Sequence, residues 1–412
     1  MKRYFLHIIL GVLLANGLTA CQQDVPNVEQ TDEISSRIYL SAGIGNSEST
    51  RAPYYPTDGN GVLETPTQEH PLNVSVWAST DNNGKFPHKV DEYGNVYDGS
   101  IGNEVAIHTT ARFQSAEPQL LGEAIYPTPL ENQTIVVNFI GLHPQSRNGA
   151  SWEVSSDNQD ASYTFKGKED VMFAPMIQGE YGLDYELYPG KVPTFHFYHL
   201  LTWLRISMVA YLGEDEENST TLTEDDKKLK REKVSNAWGK ITELTLKSQK
   251  NIITISNLGE ATSEDYTSHV TFAPESSNVP FSLYYTGTDD VFPGTNEYAI
   301  PVNKTDAAYV MCAPVIGEEK DEYENHVPEY TLHIKTQHRE MDIPLDLKGD
   351  NGNLFTGSTM GRVFNILLRF KMGDVISVST EISVGGDADW FTHGTGTGDL
   401  KESDLESKAG NN

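Results

Sequence analysis

The sequence predicts an all-β protein made of tandem β-sandwich domains, and two observations lead there. Apolar and polar residues alternate with period two in one run after another, the pattern of half-buried strands. No stretch carries an apolar face of convincing helical length. At 412 residues the chain has room for two or three domains, each with a core of its own.

Taken in order, Met1-Lys2-Arg3 is a short basic start, and Tyr4 to Leu18 is an apolar run of signal-peptide length. It is shorter than the ~20 apolar residues a spanning helix needs. The run closes on Leu18-Thr19-Ala20-Cys21, which resembles the bacterial lipobox, whose cysteine is acylated and becomes the mature N-terminus. Ordinary cleavage prefers small residues at both positions of an A-x-A-like site, which Leu18 does not supply. Residues 1–20 are therefore read as a signal peptide and Cys21 as the lipidation site. More than one acyl chain gives a stable anchor, since each buried methylene adds ~0.8 kcal/mol. The only other cysteine is Cys312, so acylation of Cys21 leaves no intramolecular disulfide, and stability must come from core area.

Residues 22–36 are polar and without period, a tether. Ile38, Leu40, Ala42 and Ile44 then alternate with Arg37, Tyr39, Ser41 and Gly43, which predicts a strand over 37–45. The small polar stretch that follows, Gly45 to Pro53, contains Arg51-Ala52 and reads as an exposed loop open to proteolysis.

The body continues the alternation at Leu72, Val74, Val76 and Ala78, at Ile135, Val137 and Phe139, and at Leu204, Ile206, Met208 and Ala210. Tyr330, Leu332 and Ile334 face Met341, Ile343, Leu345 and Leu347 across Gln337-His338-Arg339 as a hairpin. Pro344 marks the second of these strands as an edge. The last strong strands are Phe364 to Phe370 and Ile376 to Val384. An internal echo, Asp170-Val171-Met172-Phe173-Ala174-Pro175 against Tyr309-Val310-Met311-Cys312-Ala313-Pro314, reads as an apolar strand halted by Ala-Pro each time. Between the two copies lies the turn-type segment Tyr188-Pro189-Gly190-Lys191. The expected division is a signal peptide at 1–20, a lipidated tether and first strand at 21–51, sandwiches at 52–190 and 191–390, and a polar tail at 391–412. Gly213 to Lys233, acidic then basic, reads as a solvated loop with at most a helical turn.

These pieces together are similar to the fimbrillin family, the lipoprotein pilins of Bacteroidales. The resemblance rests on the lipobox at Cys21, the Arg51-Ala52 loop, the DVMFAP strand and the strand FHFYHLLTWLRISMVA (195–210). WGKITELTLKS (238–248) and the closing pattern from Gly357 to Trp390 extend it over nearly the whole chain. It implies two transthyretin-like β-sandwiches, export to the outer membrane as a lipoprotein, and trimming by an arginine-specific protease. It also implies assembly with other fimbrial subunits into surface fimbriae by strand exchange, in the service of adhesion. On this chain Cys21 is then the acylation site and Arg51-Ala52 the trimmed bond, with Arg37-Ile38 a poorer candidate at the start of a strand.

The physics of such an exchange stands by itself. A first strand carrying Ile38, Leu40, Ala42 and Ile44 satisfies its neighbours' backbone groups and covers apolar side chains. Its loss leaves a groove of unpaired donors and acceptors that a strand from another subunit relieves. The tail after Trp390 shows no alternation. Either Ile376 to Val384 is the donated strand, or the chain accepts a strand without giving one.

Other chemistry finds little footing. A formal charge of −29 argues against nucleic acid as a partner. His196 and His199 sit at odd separation in a strand and point to opposite faces, so they do not make a metal pair. Asp289-Asp290 and Gly349 to Asn353 carry oxygens suited to calcium, but turns demand the same residues. No HExxH, GxSxG, P-loop or GxGxxG motif stands in a supporting context. The expectation is a non-enzyme with no cofactor and no metal. The tyrosines and Trp77, Trp152, Trp203, Trp238 and Trp390 leave a second reading open: a monomeric surface-lipoprotein binding module, for glycans, that keeps its first strand.

Overall fold

The computed structural model describes residues 39–44, 72–79, 106–113, 119–120, 135–145, 152–155, 160–181, 192–274, 279–286, 290–295, 297–317, 330–348, 357–373 and 375–382. Nearly all of the regular structure in them is β. The first half supplies β1 (Tyr39–Ile44), β2 (Leu72–Ser79), β3 (Ala106–Phe113), β4 (Gln119–Leu120), β5 (Ile135–His143), β6 (Glu153–Val154), β7 (Ala161–Thr164), β8 (Met172–Tyr181) and β9 (Thr194–His199). Seven of these form one sheet in the order β3-β2-β5-β8-β9-β1-β4.

That sheet cannot be flat. Six strand spacings of ~4.8 Å would set β3 and β4 roughly 29 Å apart. The connection from Phe113 to Gln119 reaches at most ~22 Å. The sheet therefore curls until its two ends approach, and Phe113 of β3 meets Phe195 of β9 edge to face with ring centroids 6.4 Å apart. Inside the curl lies a core of Leu40, Leu72, Val74, Val76, Phe113, Val137, Phe139, Met172, Phe195 and Phe197.

The opposite face of the central strands is buried too. Trp77, Ile140, Leu142 and Phe173 join a second, larger core that runs through the rest of the molecule. This explains why β5 reads as an almost unbroken apolar run: it has a core on both faces.

The second half contributes β10 (Thr202–Ala210), β11 (Lys240–Gln249), β12 (Ile252–Ile255), β13 (Val270–Ala273), β14 (Val279–Tyr285), β15 (Val291–Phe292), β16 (Tyr298–Ala299), β17 (Thr305–Cys312), β18 (Ile316–Gly317), β19 (Tyr330–Thr336), β20 (Glu340–Leu345), β21 (Gly357–Ser358), β22 (Val363–Lys371) and β23 (Val375–Ile382). Its main sheet runs β20-β19-β11-β14-β17-β10-β22-β23, with β15 on β14 and β16 on β11. Thr380 Oγ1 of β23 donates to the Asp346 carbonyl oxygen beyond β20 at 2.5 Å, so the ends of this sheet also come together. The β19–β20 hairpin forms as its alternation predicts, with Ile334 opposite Met341. Pro344 lies at the end of the sheet order, where its missing N–H is tolerated.

Three sequence readings meet a different structure. The charged stretch expected as a loop contains α1 (Glu214–Glu217) and α2 (Glu224–Trp238). Helix α2 starts at a capping box, with Asp226 N donating to Thr223 Oγ1 at 3.1 Å and Thr223 N donating to Asp226 Oδ2 at 3.2 Å. Its apolar face is only Val234 and Trp238 plus the stem of Lys227, too sparse to register as amphipathic. The run 195–210 is two strands, not one: the chain leaves the first sheet after β9 and enters the second at β10, turning at Leu200-Leu201. In the first copy of the internal echo, Ala-Pro does not halt the strand. Pro175 falls where β8 slips register against β5, between Phe139 and Gly141, a bulge that asks no ladder bond of it.

The segment Tyr188-Pro189-Gly190-Lys191 lies outside the described residues, and the change of sheet comes later, at Leu200-Leu201. The two halves also share a four-stranded sheet, β13-β12-β7-β6, in which Ile253 of the second half registers with Tyr163 of the first. Among the described residues no helix is long and apolar enough to cross a membrane.

A strand slot beside β9

The region that matters for the exchange reading is the position of β1. It lies parallel to β9 in the register Ser41 to Thr194, Ala42 to Phe195, Gly43 to His196 and Ile44 to Phe197. On its other side, among the described residues, it meets the two residues of β4, antiparallel, with Tyr39 opposite Leu120 and Leu40 opposite Gln119. Strand β2, next in sequence, is not a neighbour of β1 in the sheet. Among the described residues no hairpin holds β1 in place.

Alternation puts Leu40 and Ala42 inward, 1% and 4% exposed, into the first core. The floor beneath them is aromatic. Phe195 and Phe197 are fully buried, with ring centroids 5.6 Å apart. Phe197 fits because residue 141 is glycine: a Cβ there would lie 2.6 Å from the Phe197 ring. On the other face, Ser41 is 6% exposed and its Oγ lies 2.5 Å from Thr194 Oγ1. The Ser41 N–H donates to the Pro193 carbonyl oxygen at 3.1 Å.

Of the residues singled out by sequence, Leu40, Ala42 and Ile44 fall within β1. Cys21, Ile38, Arg51 and Ala52 lie outside the described residues, as do Asp289, residues 349–353, Trp390 and the tail. Sequence reading passed over Thr194, Phe195, Phe197 and Gly141. The two phenylalanines were legible as an inward pair, but nothing local says that β1 is what they meet.

At the far end of β9 a buried polar group stands apart from this slot. His199 Nδ1 lies 3.0 Å from Asp170 Oδ1 and 2.9 Å from Oδ2, and both side chains are at most 3% exposed. His196 is exposed, so the two histidines do lie on opposite faces. His143 adjoins the pair, its Nδ1 2.8 Å from the Asn73 carbonyl oxygen, and burial pushes its pKa below the ordinary histidine value despite the neighbouring Asp170. Cys312 is buried and its thiol pKa is pushed far up by desolvation, a packed group and not a reactive one.

Trp77, Trp152, Trp203 and Trp238 are all buried. None of these four offers an open stacking platform. Asp290 serves its turn, its carbonyl oxygen accepting from Tyr285 N at 2.9 Å. Among the described residues no group of three His, Cys, Asp or Glu is placed to hold a metal.

No family model matches the chain, and no curated protein matches it. Several solved structures are similar to it. One is described as a putative cell adhesion protein from Bacteroides uniformis, 13% identical, covering 87% of this chain and 100% of that one, with a TM-score of 0.41. Another is a fimbrial assembly protein from Parabacteroides distasonis, 12% identical, covering 85% and 99%, TM-score 0.31. A third is the fimbrial anchor protein Mfa2 from Porphyromonas gingivalis, 10% identical, covering 84% and 97%, TM-score 0.32. These three are Bacteroidales proteins named for adhesion and for fimbrial assembly or anchoring.

Proposed function

We propose that this protein is a structural subunit, tip, accessory or stalk, of a cell-surface fimbria. In this reading it is exported as a lipoprotein precursor anchored through Cys21 in the outer membrane. An arginine-specific protease cuts it at Arg51-Ala52, and a strand from another fimbrial subunit then takes the place of β1. The output is adhesion, and no catalysis is involved.

One observation carries the reading: β1 is joined to its sheet by short ladders. Among the described residues it holds one four-residue parallel ladder and one two-residue ladder, and no turn joins it to either neighbour. Cutting the chain after it breaks no hairpin among the described residues. Its removal uncovers the β9 backbone from Thr194 to Phe197 and the apolar floor of Phe195 and Phe197, a state that a replacement strand relieves.

The test is intact-mass measurement on protein taken from the native outer membrane and from shed fimbriae. The expected assembled form begins at Ala52. A lipidated chain beginning at Cys21, with no higher assembly, overturns the reading and leaves the monomeric binding module in its place. Arg51→Ala should leave the fold intact and hold the precursor on the membrane. Normal amounts of polymer from that variant would show that another bond is cut.

A further inference from the structure

The slot that holds β1 does more than present an edge. Three consecutive positions of its occupant meet three different demands. Position 40 is a large apolar side chain in the core. Position 41 is a buried hydroxyl whose partner is Thr194, at 2.5 Å. Position 42 is a methyl group, in register with Phe195.

The size limit at position 42 follows from what surrounds it. Phe195 and Phe197 fill the floor, and Phe113 closes on Phe195 from the opposite end of the curled sheet. None of the three rings is more than 1% exposed. Phe197 cannot retreat, because it already occupies the space over Gly141. The hydroxyl preference follows from the bond: an apolar residue in the buried position of Ser41 gives it up and leaves the half-buried Thr194 Oγ1 with only its long bond to the Val192 carbonyl oxygen, 3.5 Å, among the described residues. The bond also fixes register, since a slip of one residue sends the hydroxyl to the core face and an apolar group to Thr194.

We infer that this slot selects an extended strand, parallel to β9, that carries a large apolar residue, then Ser or Thr, then Ala or Gly, supplied by a different polypeptide. The inference rests on the exchange reading above and specifies its partner. Strand β23 of a second copy is a poor donor on the same grounds. This last described strand is held at home by eight registered pairs with β22. That strand also carries Ile376-Ser377-Val378, with valine where the slot accommodates alanine.

The experiment uses the full chain with a sequence-specific protease site in place of residues 46–51, cut after folding. Fluorescent peptides copying residues 37–45 are added, and their entry is followed by native mass spectrometry and anisotropy. The native peptide and its Ser41→Thr version should enter comparably. Ser41→Val should enter about fivefold less well, the worth of one net hydrogen bond. Ala42→Leu should enter less well by roughly tenfold or more, because it overpacks the floor. A peptide copying residues 374–382 should enter no better than these weakened variants. In a Thr194→Val chain the preference for Ser over Val should disappear, a readout that a general loss of stability does not produce.

Equal entry of all the peptides overturns the selection while leaving exchange itself standing. Retention of β1 after the cut, with no peptide entering any chain, overturns the exchange reading and this inference with it.

Discussion

Phe197 and Gly141 occupy one space: the ring edge of Phe197 lies 2.6 Å from where a Cβ on residue 141 would be. Gly141→Ala should therefore force the ring off the slot floor. The expected loss is about 1–3 kcal/mol, the usual cost of overpacking a core. Urea unfolding monitored by tryptophan fluorescence checks it, and Gly141→Ala with Phe197→Leu should recover part of the loss by returning the volume.

The His199–Asp170 pair is buried where the chain passes from the first sheet to the second. Removing one partner of a buried hydrogen-bonded pair leaves the other unsatisfied, at a cost of about 1–3 kcal/mol. Asp170→Ala and His199→Ala should each destabilise on that scale. The double variant should lose clearly less than the sum, which denaturant midpoints of the four proteins will show.

His143 gives the fold an acid-sensitive term. Its folded pKa is depressed, chiefly by burial, with the Asp170 charge opposing. As pH falls through the unfolded value of about 6.5, the unfolded chain takes up this proton before the folded one does. The contribution of His143 to stability is thus full above that pH and is lost progressively as pH falls toward the folded pKa. His143→Asn keeps a donor for the Asn73 carbonyl and removes the titration. Its stability should fall less steeply than that of the parent between pH 6.5 and 5, measured by thermal unfolding across that range.

Thr223 caps helix α2. Thr223→Ala should cost about 1 kcal/mol, and Thr223→Ser should cost little. A greater cost would mean that α2 is coupled more tightly to the second core, through Val234 and Trp238, than one cap accounts for. Thermal melts of the two variants separate these outcomes.

Local pattern made a large part of this fold legible. The β19–β20 hairpin, the edge position of Pro344 and the long strands β2, β5, β10 and β22 follow from period-two alternation and turn residues. The pattern failed where a different rule governed. Helix α2 was hidden because charge covers most of its surface, leaving the Thr223–Asp226 cap and the Val234–Trp238 spacing as its only signals. The break at Leu200-Leu201 was hidden because both flanking strands are apolar, so no polar residue marks the change of sheet.

Residues 37–53 alone are enough to place β1, to set Leu40 and Ala42 on one face of it, and to put Arg51 after it in a polar stretch. Alternation decides which side of a strand is covered, because that depends only on the strand. Tertiary structure alone decided that the cover is Phe195 and Phe197, that Ser41 meets Thr194, and that β9 is the neighbour of β1. Those pairings join residues some 150 positions apart, Ser41 and Thr194 being separated by 153. They are chosen by the curl of the whole sheet, and no window of sequence contains it.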